Sequence, residues 1–176
     1  MEEKNMITMP DEDEERDMYY NGRDVMKKNN LFQYEISNFA VKGFECRHNL
    51  KYWNQEEYIG IGPSAHSFLN SMRYSNPSDL NLYCEGAETG TFNRIVQEVM
   101  DFNDLMFEYI MLRLRLTEGL NSIDFKNKFN VDFYEKYSKQ AEYLTENKLI
   151  EFNGDFVKLT EKGMDISNFV FEKFMN

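Results

Sequence analysis

Residues 149–160, LIEFNGDFVKLT, constrain the fold of this chain more than any other stretch. Two short apolar runs flank Asn153-Gly154, a dipeptide that tolerates the positive φ angles of a tight hairpin turn, so the stretch predicts two short strands folded back on each other. The flanking segments are helical in pattern. DFNDLMFEYIMLRLRL, 101–116, sets Leu105, Met106, Tyr109, Ile110 and Arg113 at helical spacing behind Asp101 as a cap. NSIDFKNKF, 121–129, reads as a short helix, and 132–148 as another with Phe133, Tyr137, Ala141 and Leu144 on one face. A closing helix starts near Thr160. Three helices, a hairpin and a last helix are the order of a winged-helix-like domain, expected over 92–176.

The first part of the chain has a different character. From Pro10 to about Asn29 the pattern is a weakly amphipathic helix, with Met18, Tyr19, Val25 and Met26 as inward candidates. Its start, DEDEERD, carries six acids and one arginine; acids there complement the helix dipole, so the run reads as a solvated helix start. In LFQYEISNFA, Phe32, Tyr34 and Ile36 alternate with polar residues, which predicts a strand ending near Asn38. A helix followed by a strand is the second half of a βαβ unit, so residues 1–75 are expected to be α/β. A further strand is expected over 56–62, stopping at Pro63, and a hairpin around Asn70-Ser71. Turn formers and small residues cluster over 76–91, which reads as a linker between two domains.

A chain of 176 residues with 41% apolar and 15% aromatic residues can bury a real core. The net charge of −11 argues against general affinity for nucleic acid or anionic membrane. The segment that would read DNA in a winged helix, 132–148, holds four acids against three lysines. No apolar run approaches the length of a membrane span, and no basic start followed by an apolar stretch marks secretion. The two cysteines, Cys46 and Cys84, have neither disulfide-framework nor metal-ligand spacing, which suits a reducing cytoplasm.

The unusual chemistry sits in ECRHNLKYWNQEEYIGIGPSAHSF, 45–68, which contains both histidines and the sole tryptophan. Gly60, Gly62 and Ala65 fit G-x-G-x-x-A, and Asp79 follows at the spacing of a ribose-binding acid. That motif must open a helix, whereas here Pro63 is followed by a hairpin pattern, so these glycines read as a sharp turn or a close approach to a ligand. If HNLKYW is helical, Tyr52 lies about 40°, Asn49 about 100° and Trp53 about 140° from His48 around the axis. One imidazole beside two large rings suits a flat, metal-bearing ligand such as haem. By spacing alone, a histidine hydrogen-bonded to a carbonyl with the rings as packing is the plainer account. His48 and His66 lack a third metal ligand, and no acid is placed to orient His66 beside Ser64 and Ser67 as a triad.

Four separated motifs carry a resemblance. YEISNFA (34–40), ECRHNLKYW (45–53), YIGIGPSAHSF (58–68) and RYSN (73–76) resemble, in that order, the later half of the haem-chaperone (HemW) branch of the radical SAM family. That family also contains oxygen-independent coproporphyrinogen III oxidase, HemN. The resemblance runs from about Met9 to the end. It implies the last elements of a partial (β/α) radical SAM barrel over 1–75, then a HemN-type winged-helix-like C-terminal domain. It also implies an N-terminal C-x-x-x-C-x-x-C triad for a [4Fe–4S] cluster whose open iron site takes S-adenosylmethionine. This chain has no such triad, so cluster and S-adenosylmethionine are expected only in a longer parent, and the chain reads as its inactive C-terminal part.

Within the family HNxxYW is associated with haem. The resemblance therefore makes His48 the expected ligand of haem iron, with Asn49, Tyr52 and Trp53 as motif partners. Gly60, Gly62, Ser64, Ala65, His66 and Ser67 correspond to the barrel rim facing the S-adenosylmethionine and substrate cavity. Pro63 departs from the small residues usual there. The function implied is haem binding and delivery to an acceptor protein. The alternative is the oxidase branch's anaerobic oxidative decarboxylation in porphyrin biosynthesis.

Overall fold

The computed structural model describes residues 9–91 and 93–175. The chain divides into two compact units, Met1–Cys46 and Arg47–Asn176.

In the first unit, helix α1 (Glu12–Lys28) begins where the acidic run predicts. Asp11 caps it reciprocally with Glu14: Asp11 Oδ1 accepts from the Glu14 amide at 2.9 Å and Glu14 Oε2 from the Asp11 amide at 3.1 Å. The expected inward face is not realised. No residue of α1 is buried, and Met18 and Val25 are more than half exposed. Among the described residues of this unit only a miniature hairpin accompanies α1, too small to cover a helix of 17 residues. That hairpin replaces the single strand expected over 32–38. Strands β1 (Phe32–Gln33) and β2 (Phe39–Ala40) pair antiparallel, Phe32 opposite Ala40. The reversal has a local cause: the buried Glu35 carboxylate accepts from the Ser37 amide at 3.0 Å and from Asn38 Nδ2, which turns the chain.

The second unit opens with α2 (Arg47–Trp53) and an irregular segment to residue 65. The strand expected over 56–62 reduces to one bridge, Tyr58 with Phe68. Strands β3 (His66–Leu69) and β4 (Met72–Ser75) form the expected hairpin, with φ positive at both Asn70 and Ser71 as a type I′ turn requires. The stretch 76–91, expected to be irregular, contains helix α3 (Leu80–Thr89), capped by Asp79 and stopped by Gly90 at φ 71°. Strand β5 (Ile95–Val99) then joins β4 to give the order β3-β4-β5. No alternation in its sequence announces it, because every residue of β5 is exposed.

Helix α4 (Phe102–Leu114) follows, then β6 (Leu120–Asn121), α5 (Ser122–Phe129), α6 (Phe133–Lys136), α7 (Ser138–Glu146), β7 (Ile150–Asn153), β8 (Phe156–Leu159), α8 (Glu161–Asp165) and α9 (Ser167–Glu172). The helix expected over 132–148 is interrupted at Tyr137, whose φ of −112° breaks regularity while its ring stays in the core. The hairpin turn lies one residue later than expected, with Gly154-Asp155 as central residues and φ positive at Gly154 alone. β8 lies between β7 and β6. Phe125 is fully buried at the centre of the aromatic core, 5.0 Å from Phe129 and 5.7 Å from Phe133 between ring centres.

Asp101 Oδ1 accepts from the amides of Asn103 at 2.8 Å and Asp104 at 2.9 Å, and Asp104 returns the bond to the Asp101 amide. Asp101→Ala is expected to lower stability by about 1 kcal/mol, read as a shift in the urea midpoint without change of slope. An unchanged midpoint would show that the cap contributes nothing.

Candidate functional site

The HNLKYW stretch is helical, as its use as a site requires, and no residue of α2 is buried. His48 and Tyr52, one turn apart, meet on the outer face. His48 Nε2 and Tyr52 Oη share a hydrogen bond of 3.1 Å, and the rings stand edge to face with centres 4.9 Å apart. Tyr52 in turn meets Tyr58 edge to face at 4.7 Å. The result is a ladder of three rings, His48–Tyr52–Tyr58, of which the sequence identified two. Burial pushes the Tyr58 phenol above its ordinary range, with nearby Arg73 opposing, so Tyr58 keeps its proton at neutral pH. Asn49 is partly covered.

Trp53 leaves this group. Its ring turns to the end of α4, where the Arg115 guanidinium lies 5.6 Å from the ring centre. His48 and Tyr52 therefore meet on one face, and Trp53 does not join them. The end of α2 is clamped onto α4 by its neighbours. Asn54 Oδ1 accepts from Arg113 Nη1, and Gln55 Nε2 donates to the Leu105 carbonyl at 3.0 Å and to Glu108 Oε2 at 2.8 Å. Glu108 also pairs with Arg73 of β4. A recess of about 100 Å³ opens here, lined by Tyr52, Gln55, Tyr58, Phe68, Arg73 and Glu108 among others.

The glycine loop is built mainly by side-chain hydrogen bonds. The Gly60 amide donates to Ser67 Oγ at 3.0 Å and the Gly62 amide to Tyr83 Oη at 2.9 Å. Asn76 Nδ2 donates to the carbonyls of Gly60 at 3.2 Å and Gly62 at 2.9 Å. These bonds satisfy the backbone groups that a strand would have placed in a ladder, which is why residues 56–62 form none. Gly60 is required by close approach: a Cβ there would sit 2.2 Å from the His66 carbonyl oxygen. No helix follows Pro63, so the loop is not a dinucleotide turn.

Ser67 is buried and holds the loop, Ala65 is half-buried, and Ser64 and His66 are exposed. Tyr58 connects the two groups of candidates, contacting Tyr52 on one side and pairing through its backbone with Phe68, next to Ser67. Sequence reasoning did not single out Tyr58, Tyr83 or Arg115. Asn76 was visible only as the last residue of RYSN. Among the described residues no three His, Cys, Asp or Glu side chains could hold a metal ion, and no helix is long and apolar enough to cross a membrane. Cys46 and Cys84 are exposed and unpaired.

Residues 100–166 match the family of the HemN C-terminal domain. The fold agrees: the structure superimposes on that of coproporphyrinogen III oxidase (HemN) from Escherichia coli, a radical SAM enzyme, with a TM-score of 0.69 at 13% identity, over 95% of this chain and 42% of that one. The class is thus HemN-like, with mixed helix and sheet. Nearer relatives carry the name "Heme chaperone HemW". The chain is 37% identical to that of Lactococcus lactis subsp. lactis (strain IL1403) over 98% of its own length, and 32% identical to that of Bacillus subtilis (strain 168) over 98%. It spans 45% and 46% of the length of these two relatives. The chain belongs to the HemW family.

Proposed function

We propose that this chain contributes the haem-binding part of a HemW-like haem chaperone, receiving haem at His48 and releasing it to an acceptor protein. The observation that carries this reading is the exposed imidazole of His48, hydrogen-bonded through Nε2 to Tyr52 and otherwise open. In the tautomer whose Nε2–H donates to Tyr52 Oη, the lone pair resides on Nδ1. Tyr52 then orients the ring as hydrogen-bonded partners of ligating histidines do. The adjoining recess of about 100 Å³ is smaller than enclosed ligand pockets, which start near 300 Å³. A macrocycle would therefore lie against the His48–Tyr52 face, an open seat that suits cargo that must leave again. The relatives' name supports the chaperone reading over the oxidase alternative.

A [4Fe–4S] cluster does not fit the residues present, and S-adenosylmethionine would lack the open iron site that takes it. Two exposed cysteines cannot supply the three thiolates such a cluster needs. No step is assigned to either group in this chain. The unpaired thiols favour a reducing compartment such as the cytoplasm.

We read residues 1–75 as the closing elements of a (β/α) barrel on the family relationship alone, since the described strands β1 to β4 pair antiparallel. We read α4, α5, α6–α7, the β7–β8 hairpin and α8–α9 as winged-helix-like. The pairing of β5 with β4 favours a domain boundary beyond Val99, later than the 76–91 linker inferred from composition. With four acids against three lysines, 132–148 carries no excess of positive charge for phosphates, which favours docking to protein or ligand over DNA.

Haemin titrated into the chain is expected to give a saturable Soret spectrum of histidine-ligated iron at one equivalent. A spectrum identical to haemin in buffer at every ratio would refute the proposal.

A further inference from the structure

Among the described residues Arg115 has no anionic partner, although the chain carries 31 acids against 20 lysines and arginines. Two other arginines of this unit are engaged: Arg73 pairs with Glu98 at 3.2 Å and with Glu108, and Arg113 with Glu118 at 3.5 Å. Arg115 is half-buried at the end of α4, its guanidinium carbon 5.6 Å from the ring centres of both Trp53 and Phe171. Its Nε is sealed from water with no acceptor, and so is Nε1 of Trp53. A charge partly withdrawn from water is normally compensated by an opposite charge. Here two rings flank the guanidinium while its Nε–H stays without an acceptor.

We propose that Arg115 is the carboxylate anchor of this site, binding a propionate at the edge of a porphyrin seated on the His48–Tyr52 face. The inference rests on the haem reading for the identity of the ligand. Trp53 lies five residues beyond His48, about 7.5 Å along the helix axis and about 140° around it, so Arg115 would meet a porphyrin at its rim rather than beneath its ring. A planar guanidinium held on aromatic faces presents a fork of N–H donors that matches a carboxylate and would not match an ester nearly as well.

The test compares haemin with haemin dimethyl ester, which lacks both carboxylates. Quenching of Trp53, the sole tryptophan, reports binding, and the Soret band reports ligation. The chain is expected to bind the free acid about tenfold more tightly than the ester. The overall charge of −11 acts in the opposite direction, so such a preference must arise locally. Arg115→Gln should remove the preference, Arg115→Lys should restore part of it, and Lys51→Gln should leave it intact. His48 ligation should persist in all three variants. The comparison of acid with ester in the unmodified chain needs no variant, so misfolding of Arg115→Gln cannot decide the matter. Equal affinity for acid and ester with His48 ligation intact overturns the role of Arg115 and leaves the haem reading standing. If no histidine-ligated spectrum forms, the haem reading falls. Iron-free protoporphyrin IX and its dimethyl ester then decide Arg115 alone: equal quenching overturns it, and a free-acid preference lost in Arg115→Gln supports it.

Discussion

Replacing His48 by alanine is expected to abolish the histidine-ligated Soret spectrum of the haem complex, leaving at most the broad absorbance of adsorbed haemin. The imidazole is exposed and among the described residues its side chain hydrogen-bonds to Tyr52 alone, so its removal leaves no buried group unsatisfied and should not unfold the chain. His66→Ala is the matched control. His66 is also exposed, but it starts β3 opposite Ser75 and lacks an aromatic neighbour of the kind Tyr52 provides. Its replacement should leave the spectrum unchanged. The contrast separates a specific ligand from any accessible histidine, which affinity alone cannot do, because haemin adsorbs to apolar surface. If His48→Ala, His66→Ala and the double variant all keep the parental spectrum, the haem site is elsewhere and α2 is a packing element.

Phe125→Ala is expected to produce the largest loss of stability, about 3–5 kcal/mol. Phe125 is fully buried and touches the rings of Tyr109, Phe129, Phe133 and Tyr137. Truncation removes the buried ring surface and leaves a cavity whose walls belong to α4, α5 and α6, elements too constrained to collapse into it. Against the 5–15 kcal/mol usual for a domain, this is a large fraction of the total. Ile123→Ala, two residues earlier on the same helix and 51% exposed, should cost no more than about 0.5 kcal/mol. Denaturant midpoints of the two variants give the comparison. A loss below about 1 kcal/mol for Phe125→Ala would mean that the core is not packed around this ring.

What the sequence determined by itself is local. Asp11 and Asp101 cap helices because a carboxylate satisfies amides two or three residues away, a relation visible in a line of text. The turns at Asn70-Ser71 and beside Gly154 announce themselves because few residues tolerate positive φ. The inward faces of α4 and of 133–144 follow from periodicity, since Tyr109, Ile110, Phe133, Tyr137 and Leu144 are all buried. HNLKYW could be picked out as a helix-borne cluster, and His48 and Tyr52 do meet on one face.

Only the tertiary structure decided the rest. β5 exists because β4 offers it a pairing edge, not because its exposed residues alternate. The segment 56–62 fails as a strand because Ser67, Asn76 and Tyr83, seven to twenty-one residues away, take its backbone groups. Met18, Val25 and Met26 of α1 remained exposed, and only Tyr19 of its inward candidates is half-buried, because amphipathicity records what a helix can bury and not what lies beside it. Trp53 turned from its motif to Arg115, sixty-two residues later, an encounter that no spacing rule could supply. Capping, turn geometry and periodicity are short-range and therefore written in order along the chain. Side-chain bonds and ring contacts between distant residues exist only after folding has brought them together.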